Sequence, residues 1–521
     1  MNTNRIHQIS VTNRSASFEL TDTGLYYTDE PYNIYLNGEP YDRTETSVFS
    51  VYGLEPDQNY HMDVYKADEV YASCSFTTRH ESVTLNVKRF GAVGDGIHTD
   101  TAAIQAAIEC CPPDGRILIP KGKWKCGSLF LKSNIYLEIC EDAQIFMIYD
   151  RDQLPILPGM ILTTDETDDY NLGSWEGNPL DMYAALLNGI HINDVCIYGK
   201  GILDGCASAD NWWKEPKKKI GAFRPRMIFL NHCENIIFQG ITVTNSPSWN
   251  IHPYFSKRLY FLNMRVLAPS VSPNTDGFDP ESCSHVLVAG TFFSVGDDCI
   301  ALKSGKIYMG KRYKTPCSDI EISHCLMENG HGGVTIGSEM AGGIRSVNVH
   351  DCLMRNTDRG LRIKTRRGRG KDAVVTDITF RNIRMNKVKV PFVVNAMYFC
   401  DPDGKNEYVQ TRKALKADER TPELGTFEFN GIYADGVCCA GYILALPEKP
   451  LQKISLTDII IKSNRDPEVS IIPAMASGVE CLSASGFIFH NITDVEMKNV
   501  VIDGIQSERL CCENVNSLTD V

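Results

Sequence analysis

The chain has 521 residues, 43% hydrophobic and 22% charged, which describes a globular protein too long for one ordinary domain. A formal net charge of −13 argues against general nucleic-acid binding, and no apolar run is long enough to span a membrane. Nineteen cysteines, an odd number, form no C-x-x-C pair; packed free thiols are therefore expected rather than zinc ligation or a disulfide framework. The opening MNTNRIHQIS has no positive segment followed by an apolar one, so a cytoplasmic, reducing location is expected.

Residues 1–82 read as a small β domain. Alternating runs occur at Ser17-Phe18-Glu19-Leu20, Tyr32 to Leu36, His61 to Tyr65 and Ala72 to Thr77. Leu54-Glu55-Pro56, with Tyr60 four residues beyond the proline, resembles the tyrosine corner of fibronectin type III domains, which implies a β-sandwich. No catalytic cluster falls in this part. A second domain, residues 83–521, opens with Val83 to Val87, a glycine-rich loop Gly91 to Gly96, and a short amphipathic helix near residues 99–108 with Asp100 as its N-cap. The loop alone is weak evidence for phosphate binding, because no strand–helix alternation follows. The helix instead reads as a cap over a solenoid end.

From about residue 115 the chain repeats loosely. Asn235 to Val243, Arg258 to Val266, His285 to Val288, Asp319 to Ile322, Ser346 to Val349, Asp377 to Phe380, Lys453 to Leu456 and Val495 to Met497 are each an alternating strand followed by a polar turn. An all-β fold, a right-handed parallel β-helix preceded by the small sandwich, is expected. Insertions near 150–185, 205–225 and 400–425 are expected to wall a groove, and Trp212-Trp213 in the second to pack rather than to stack on a sugar.

The chemistry concentrates between Asn274 and Lys364, in Asn274-Thr275-Asp276, Gly296-Asp297-Asp298, Gly330-His331-Gly332 and Arg362-Ile363-Lys364. Coiling strands above one another puts these groups on one face. A crowded aspartate pair cannot ionise fully, so one member keeps a proton while another carries charge, the division that glycoside hydrolysis needs. In a plain strand Asp297 and Asp298 would face opposite sides, so a bend that turns both toward a cleft is expected. Asp276 lies one coil earlier, with Asp279 close behind. His331 stands between glycines. Arg362 and Lys364 share a strand face and are tolerable there if a ligand carboxylate joins them. The run Arg366-Arg367-Gly368-Arg369-Gly370-Lys371 is either a cationic patch or a solvated loop.

These four motifs, in this order, resemble glycoside hydrolase family 28, the polygalacturonases, over most of residues 83–521. The resemblance implies a right-handed parallel β-helix, an inverting pectin hydrolase, no metal and no cofactor. It implies Asp297 as general acid, Asp276 and Asp298 as the pair that holds and activates water, and His331 in support of the acid. It implies Arg362, Lys364, Tyr398, Asn274 and Asp279 as substrate contacts, the partner being an acidic oligo- or polysaccharide. Gly296 before the aspartate pair, the N-terminal β domain and the insertions resemble exo-acting members, which implies trimming from the non-reducing end. An endo-acting enzyme or a hydrolase of rhamnogalacturonan or substituted pectin is the alternative on this scaffold. A non-catalytic carbohydrate-binding solenoid is argued against by the intact acid–base set. No oligomeric state follows from the sequence.

Overall fold

The computed structural model describes residues 5–162, 169–464, 466 and 468–521. The first part holds a three-stranded antiparallel sheet, Ile6–Val11, Ala16–Leu20 and Val48–Val51, facing a four-stranded one, Glu39–Thr46, Tyr27–Leu36, Asn59–Lys66 and Glu69–Thr77. Phe18, Tyr32, Ile34, Leu54, Met62 and Val64 are buried between them. The Tyr60 hydroxyl accepts the Glu55 backbone N–H at 2.8 Å, the bond expected of a tyrosine corner. The likeness to fibronectin type III domains stands as a proposal.

From Thr84–Asn86 onward the strands of the solenoid pair in parallel, each with its counterpart one coil away, and build three columns of a right-handed β-helix, while the first insertion adds two short antiparallel pairs. Inward residues of successive coils stack: Leu259, Val286, Ile320, Val347 and Ile378 are in register along one column and all are buried. This interior is the solenoid core. The helix Thr101–Cys110 closes its N-terminal end with Ile104, Ala107 and Ile108. Asp100 occupies the position before this helix but makes no capping bond with its side chain. Its buried carboxylate turns back instead and accepts the N–H groups of Val93 and Gly94, so the glycine-rich loop wraps an internal carboxylate.

The two parts share an apolar seam. Tyr136, Cys196, Tyr198, Ile237, Leu262 and Ala289 point outward from five successive coils and are covered by Val48, Tyr52 and Ile9 of the sandwich. The approach is close enough that a Cβ on Gly240 would meet the Tyr52 hydroxyl and one on Gly290 would meet Val48. Polar bonds flank the seam: Ser15 Oγ donates to Gln239 at 2.9 Å, and His324 contacts Glu19 at 3.2 Å. None of the nineteen cysteines is in a disulfide; most are buried, as expected of packed thiols.

Candidate active site

The site lies on the outward face of the third column. Parallel bridges align Ile251, Phe278, Ile300, Val334 and Leu361 across successive coils. Two residues before these stand Trp249, Asp276, Asp298, Gly332 and Arg359; three residues after them stand Tyr254, Glu281, Lys303, Gly337 and Lys364. The coil repeat therefore turns motifs some two dozen residues apart into neighbours. Gly296 and Asp297 form a bend rather than a strand, and the bend presents Asp297 to the groove. Gly296 is required there, since a Cβ would lie 2.4 Å from the Ser272 carbonyl.

The groove has a volume of about 680 Å³ and is lined by Asn274, Asp276, Asp297, His331, Arg362, Lys364 and Tyr398 among the residues singled out in the sequence. Asp279 and Asp298 do not line it; both are fully buried beneath it. One oxygen each of Asp276, Asp297 and Asp298 lie within 4.8 Å of one another. The carboxyls come this close because adjacent coils are only a strand spacing apart. Such a cluster has the span of a cation site. However, both oxygens of Asp298 already have cations, Arg362 at 3.0 Å and Lys364 at 2.8 Å, so the set offers a metal a poor fit.

That pairing corrects the expectation for the two cations. Arg362 and Lys364 need no ligand to sit on one strand face, since Asp298 neutralises them from below. Both still reach the groove, and Lys364 Nζ stands 5.7 Å over the Tyr398 ring. Burial alone would raise the Asp298 carboxyl, but Lys364 and Arg362 outweigh it and hold it well below the usual carboxylate range. Asp276 goes the other way: burial, then the charge of Asp297, pushes it well above that range. Burial and charge thus drive the two carboxyls in opposite directions, Asp276 upward and Asp298 downward.

His331 donates its backbone N–H to the Asp297 carbonyl at 3.0 Å and sets Nδ1 3.1 Å from Asp358. That hydrogen bond raises the imidazole above its ordinary value, against burial. The glycines beside it have a steric cause. A Cβ on Gly330 would lie 2.7 Å from the Asp297 carbonyl, and one on Gly332 would lie 2.9 Å from Asp298 Oδ1. Asn274 is held by Arg224, whose Nη2 donates to its side-chain oxygen at 2.7 Å.

Several groups escaped the sequence reading. Lys303, nearly buried, lies 3.9 Å from Asp276, 3.4 Å from Asp279 and 3.2 Å from Glu339. A lysine ending the apolar run Ile300-Ala301-Leu302, two coils before Lys364, was the available signal. Burial pushes Asp279 up to about 7 against the pull of Lys303, and Glu281 up to about 8, with Glu339 adding to it. Glu281 meets His252 at 3.0 Å, both fully buried. Asp358, Arg359, Trp175, Glu176 and Trp249 also line the groove.

The insertions do wall it. Trp175, Glu176, Asn178 and Leu180 come from the first, Pro216, Lys217 and Phe223 from the second, and Cys400 and Asp401 from the third; residues 163–168 of the first fall outside the described residues. Trp212 packs against Tyr183, and Trp213 donates to the Ser246 carbonyl at 3.1 Å. The basic run is neither a free patch nor a solvated loop in its arginines. Arg366 pairs with Asp403 at 2.5 Å, Arg367 with Glu448 at 2.6 Å and Arg369 with Asp401 at 2.9 Å, all three arginines buried. They tie the third insertion to the solenoid; only Lys371, paired with Glu419, is at the surface.

Comparison with known proteins agrees with this geometry. The sequence model of Glycosyl hydrolases family 28 matches residues 152–413. A probable polygalacturonase of Vitis vinifera is 31% identical over 380 residues, covering 71% of this chain and 73% of that protein. The hyperthermoactive exopolygalacturonase of Thermotoga maritima superposes with a TM-score of 0.63 at 25% identity, over 82% of this chain and 94% of that one. The family 28 exopolygalacturonase of Yersinia enterocolitica shares the fold with a TM-score of 0.72 at 18% identity, over 99% of this chain and 97% of that one. Proteins named exopolygalacturonase and endo-polygalacturonase both occur among the relatives.

Proposed function

The chain belongs to glycosyl hydrolases family 28, and from that premise we propose that it removes galacturonate from the non-reducing end of polygalacturonate or its oligomers, with inversion at the anomeric carbon. One observation carries the reading: a groove that sets Asp276 and Asp297 opposite Arg362 and Lys364 and is walled by the insertions. The two cations suit a uronate carboxylate. The insertions that wall this groove support a reading in which a chain end is bound.

In this reading Asp297, half-buried at the groove surface, protonates the glycosidic oxygen. Asp276 orients and deprotonates the attacking water, and Asp298 supports it from beneath by holding Arg362 and Lys364. His331, shifted upward by its hydrogen bond to Asp358, stands at the groove edge in support of Asp297. The upward shift of Asp276 favours a second assignment, with Asp276 as acid and Asp297 as base. Inversion rests on the resemblance and not on carboxyl spacing, since the oxygens approach within 4.8 Å, whereas inverting pairs typically stand roughly 6.5–9.5 Å apart.

The test is NMR of the first product formed from a short galacturonate oligomer, with chromatography of products from the long polymer. A β-anomer and short, uniform products are expected. A first-formed α-anomer overturns inversion. Mid-sized fragments from the polymer overturn end trimming and leave the hydrolase assignment intact.

A further inference from the structure

We propose that a hollow on the C-terminal coils, outside the groove, is a second binding site for an acidic saccharide and anchors a galacturonan chain away from the bond being cut; the identity of the sugar rests on the galacturonan reading of the groove. The hollow has a volume of about 700 Å³, as large as the groove, and shares no lining residue with it.

The coil repeat builds it. Asn386, Asp435, Lys462 and Asp503 are in register on four successive coils and form one polar ladder. Beside this ladder Gly436 is an extra residue: Asp435 faces Lys462 and Val437 faces Ser463, so Gly436 bulges out of the pairing. Its backbone is left-handed, with φ 78°, and Lys387 lies against it; a Cβ on Gly436 would stand 3.3 Å from the Lys387 Cα. Gly504, also at φ 78°, keeps the floor low two coils further on. Small residues thus make the floor, and long polar ones make the rims.

The polar groups on those rims are uncommitted. Among the described residues the Lys387 ammonium and the Asp435 and Asp503 carboxylates have no hydrogen-bond or ion-pair partner. Lys462 stands 5.4 Å over the Tyr433 ring instead of pairing with either aspartate. A uronic acid unit calls for this mixture: cations for its carboxylate, carboxylates and amides for its hydroxyls. Phosphate would have to face two aspartates, and a metal ion three lysines. Adjacent coils are about 4.8 Å apart, on the order of one pyranose unit, so a chain laid along the ladder meets a new rung with each sugar.

Position decides what the site does. Glu328, Arg355 and Asn386 are aligned on successive coils, and three residues beyond each stand His331, Asp358 and Lys389. The hollow therefore begins one coil past Asp358, along the ledge that carries the catalytic groups. Lys389 lines it and sets Nζ 3.0 Å from Asp358, which in turn meets His331 at 3.1 Å. Val469 lines the hollow and Met475 lines the groove, so the backbone between them separates the two. A saccharide in the hollow is anchored rather than cleaved. A polymer that engages both places is held at two points and gains an affinity that a trimer cannot.

The experiment titrates trigalacturonate by calorimetry into the slow Asp297→Asn enzyme and into Asp297→Asn/Lys387→Glu/Lys462→Glu. Both lysines are exposed, so folding is not at stake. Two sites per chain are expected in the first and one in the second, with the affinity of the remaining site unchanged. One site in both, or two in both, overturns the hollow as a saccharide site; no binding in either overturns the galacturonan reading with it. Inorganic phosphate that displaces the second trimer at equal concentration shows a general anion site and overturns the sugar assignment. In the active enzyme, Lys387→Glu/Lys462→Glu is expected to raise KM for polygalacturonate several-fold and to leave kcat/KM for trigalacturonate at the wild-type value. An unchanged KM on the polymer overturns the anchoring role. An equal loss on the trimer overturns it too, because the two lysines would then serve the groove.

Discussion

At the level of single residues, the three aspartates differ by environment and not by type. Asp297 faces the groove, burial shifts Asp276 upward, and two cations shift Asp298 downward. Asp297→Asn should cost about 10²–10⁴-fold in kcat on galacturonate oligomers, the usual contribution of a general acid. An activated aryl galacturonide, whose leaving group needs no proton, should restore most of that loss. If Asp276→Asn is the variant so restored, the roles of the two are exchanged. Lys364 gives a prediction that the sequence alone would have missed. Because it partners a fully buried carboxylate, Lys364→Met should destabilise the fold by about 3 kcal/mol as well as weaken substrate binding, since breaking a buried pair strands a charge. A variant with wild-type thermal midpoint and only a raised KM would show that Asp298 does not depend on it.

At the level of elements, the repeat decides what a sequence discloses. Asp276, Asp297, Asp298, His331, Arg362 and Lys364 were readable because they recur one coil apart on one column, and period is what a single sequence records well. Their partners were not. Asp403, Glu448 and Asp401 neutralise the arginine run from distant segments, so the run reads as a patch although its charges are spent internally. Trp175 and Glu176 sit in an insertion with no period at all. The internal role of Asp100 was hidden for another reason: an aspartate before a helix has two ways to use its oxygens, and only the fold chooses. Gly332 shows the repeat acting as a constraint. Gly332→Ala would place a methyl 2.4 Å from Thr335 Oγ1 and 2.9 Å from Asp298 Oδ1. Crowding of this kind costs about 1–3 kcal/mol, but it falls on the buried carboxylate that holds Arg362 and Lys364 in place. We expect at least a tenfold loss of kcat with the protein still folded by circular dichroism. Full activity would mean that Asp298 tolerates displacement.

At the level of the whole molecule, buried titrations and the union of the two parts set its limits. Burial lowers His324, but the hydrogen bond to Glu19 prevails and raises it above its ordinary 6.5. Its contribution is therefore complete below pH 6.5 and lost as pH rises through the folded value. His350, raised to about 9 by Asp351 and Glu321, is lost in the same direction; Asp279 and Glu281, raised from 3.8 to about 7 and from 4.5 to about 8, lower stability as pH rises through those earlier windows. The unfolding midpoint should therefore fall between pH 6.5 and 9, and His324→Gln should flatten part of that fall. A midpoint that holds or rises over this range would contradict it. The seam carries a different consequence. Tyr136, Tyr198, Ile237, Leu262 and Ala289 form an apolar strip along five coils whose cover is the sandwich. A shortened chain of residues 83–521 would keep every catalytic group and still present that strip to water. Its failure would be colloidal rather than chemical: light scattering should show clustering as concentration rises, in a sample whose dilute activity is nearly intact. The sandwich would then serve the enzyme as a built-in solubilising partner, and a shortened chain that stayed monodisperse would deny it that role.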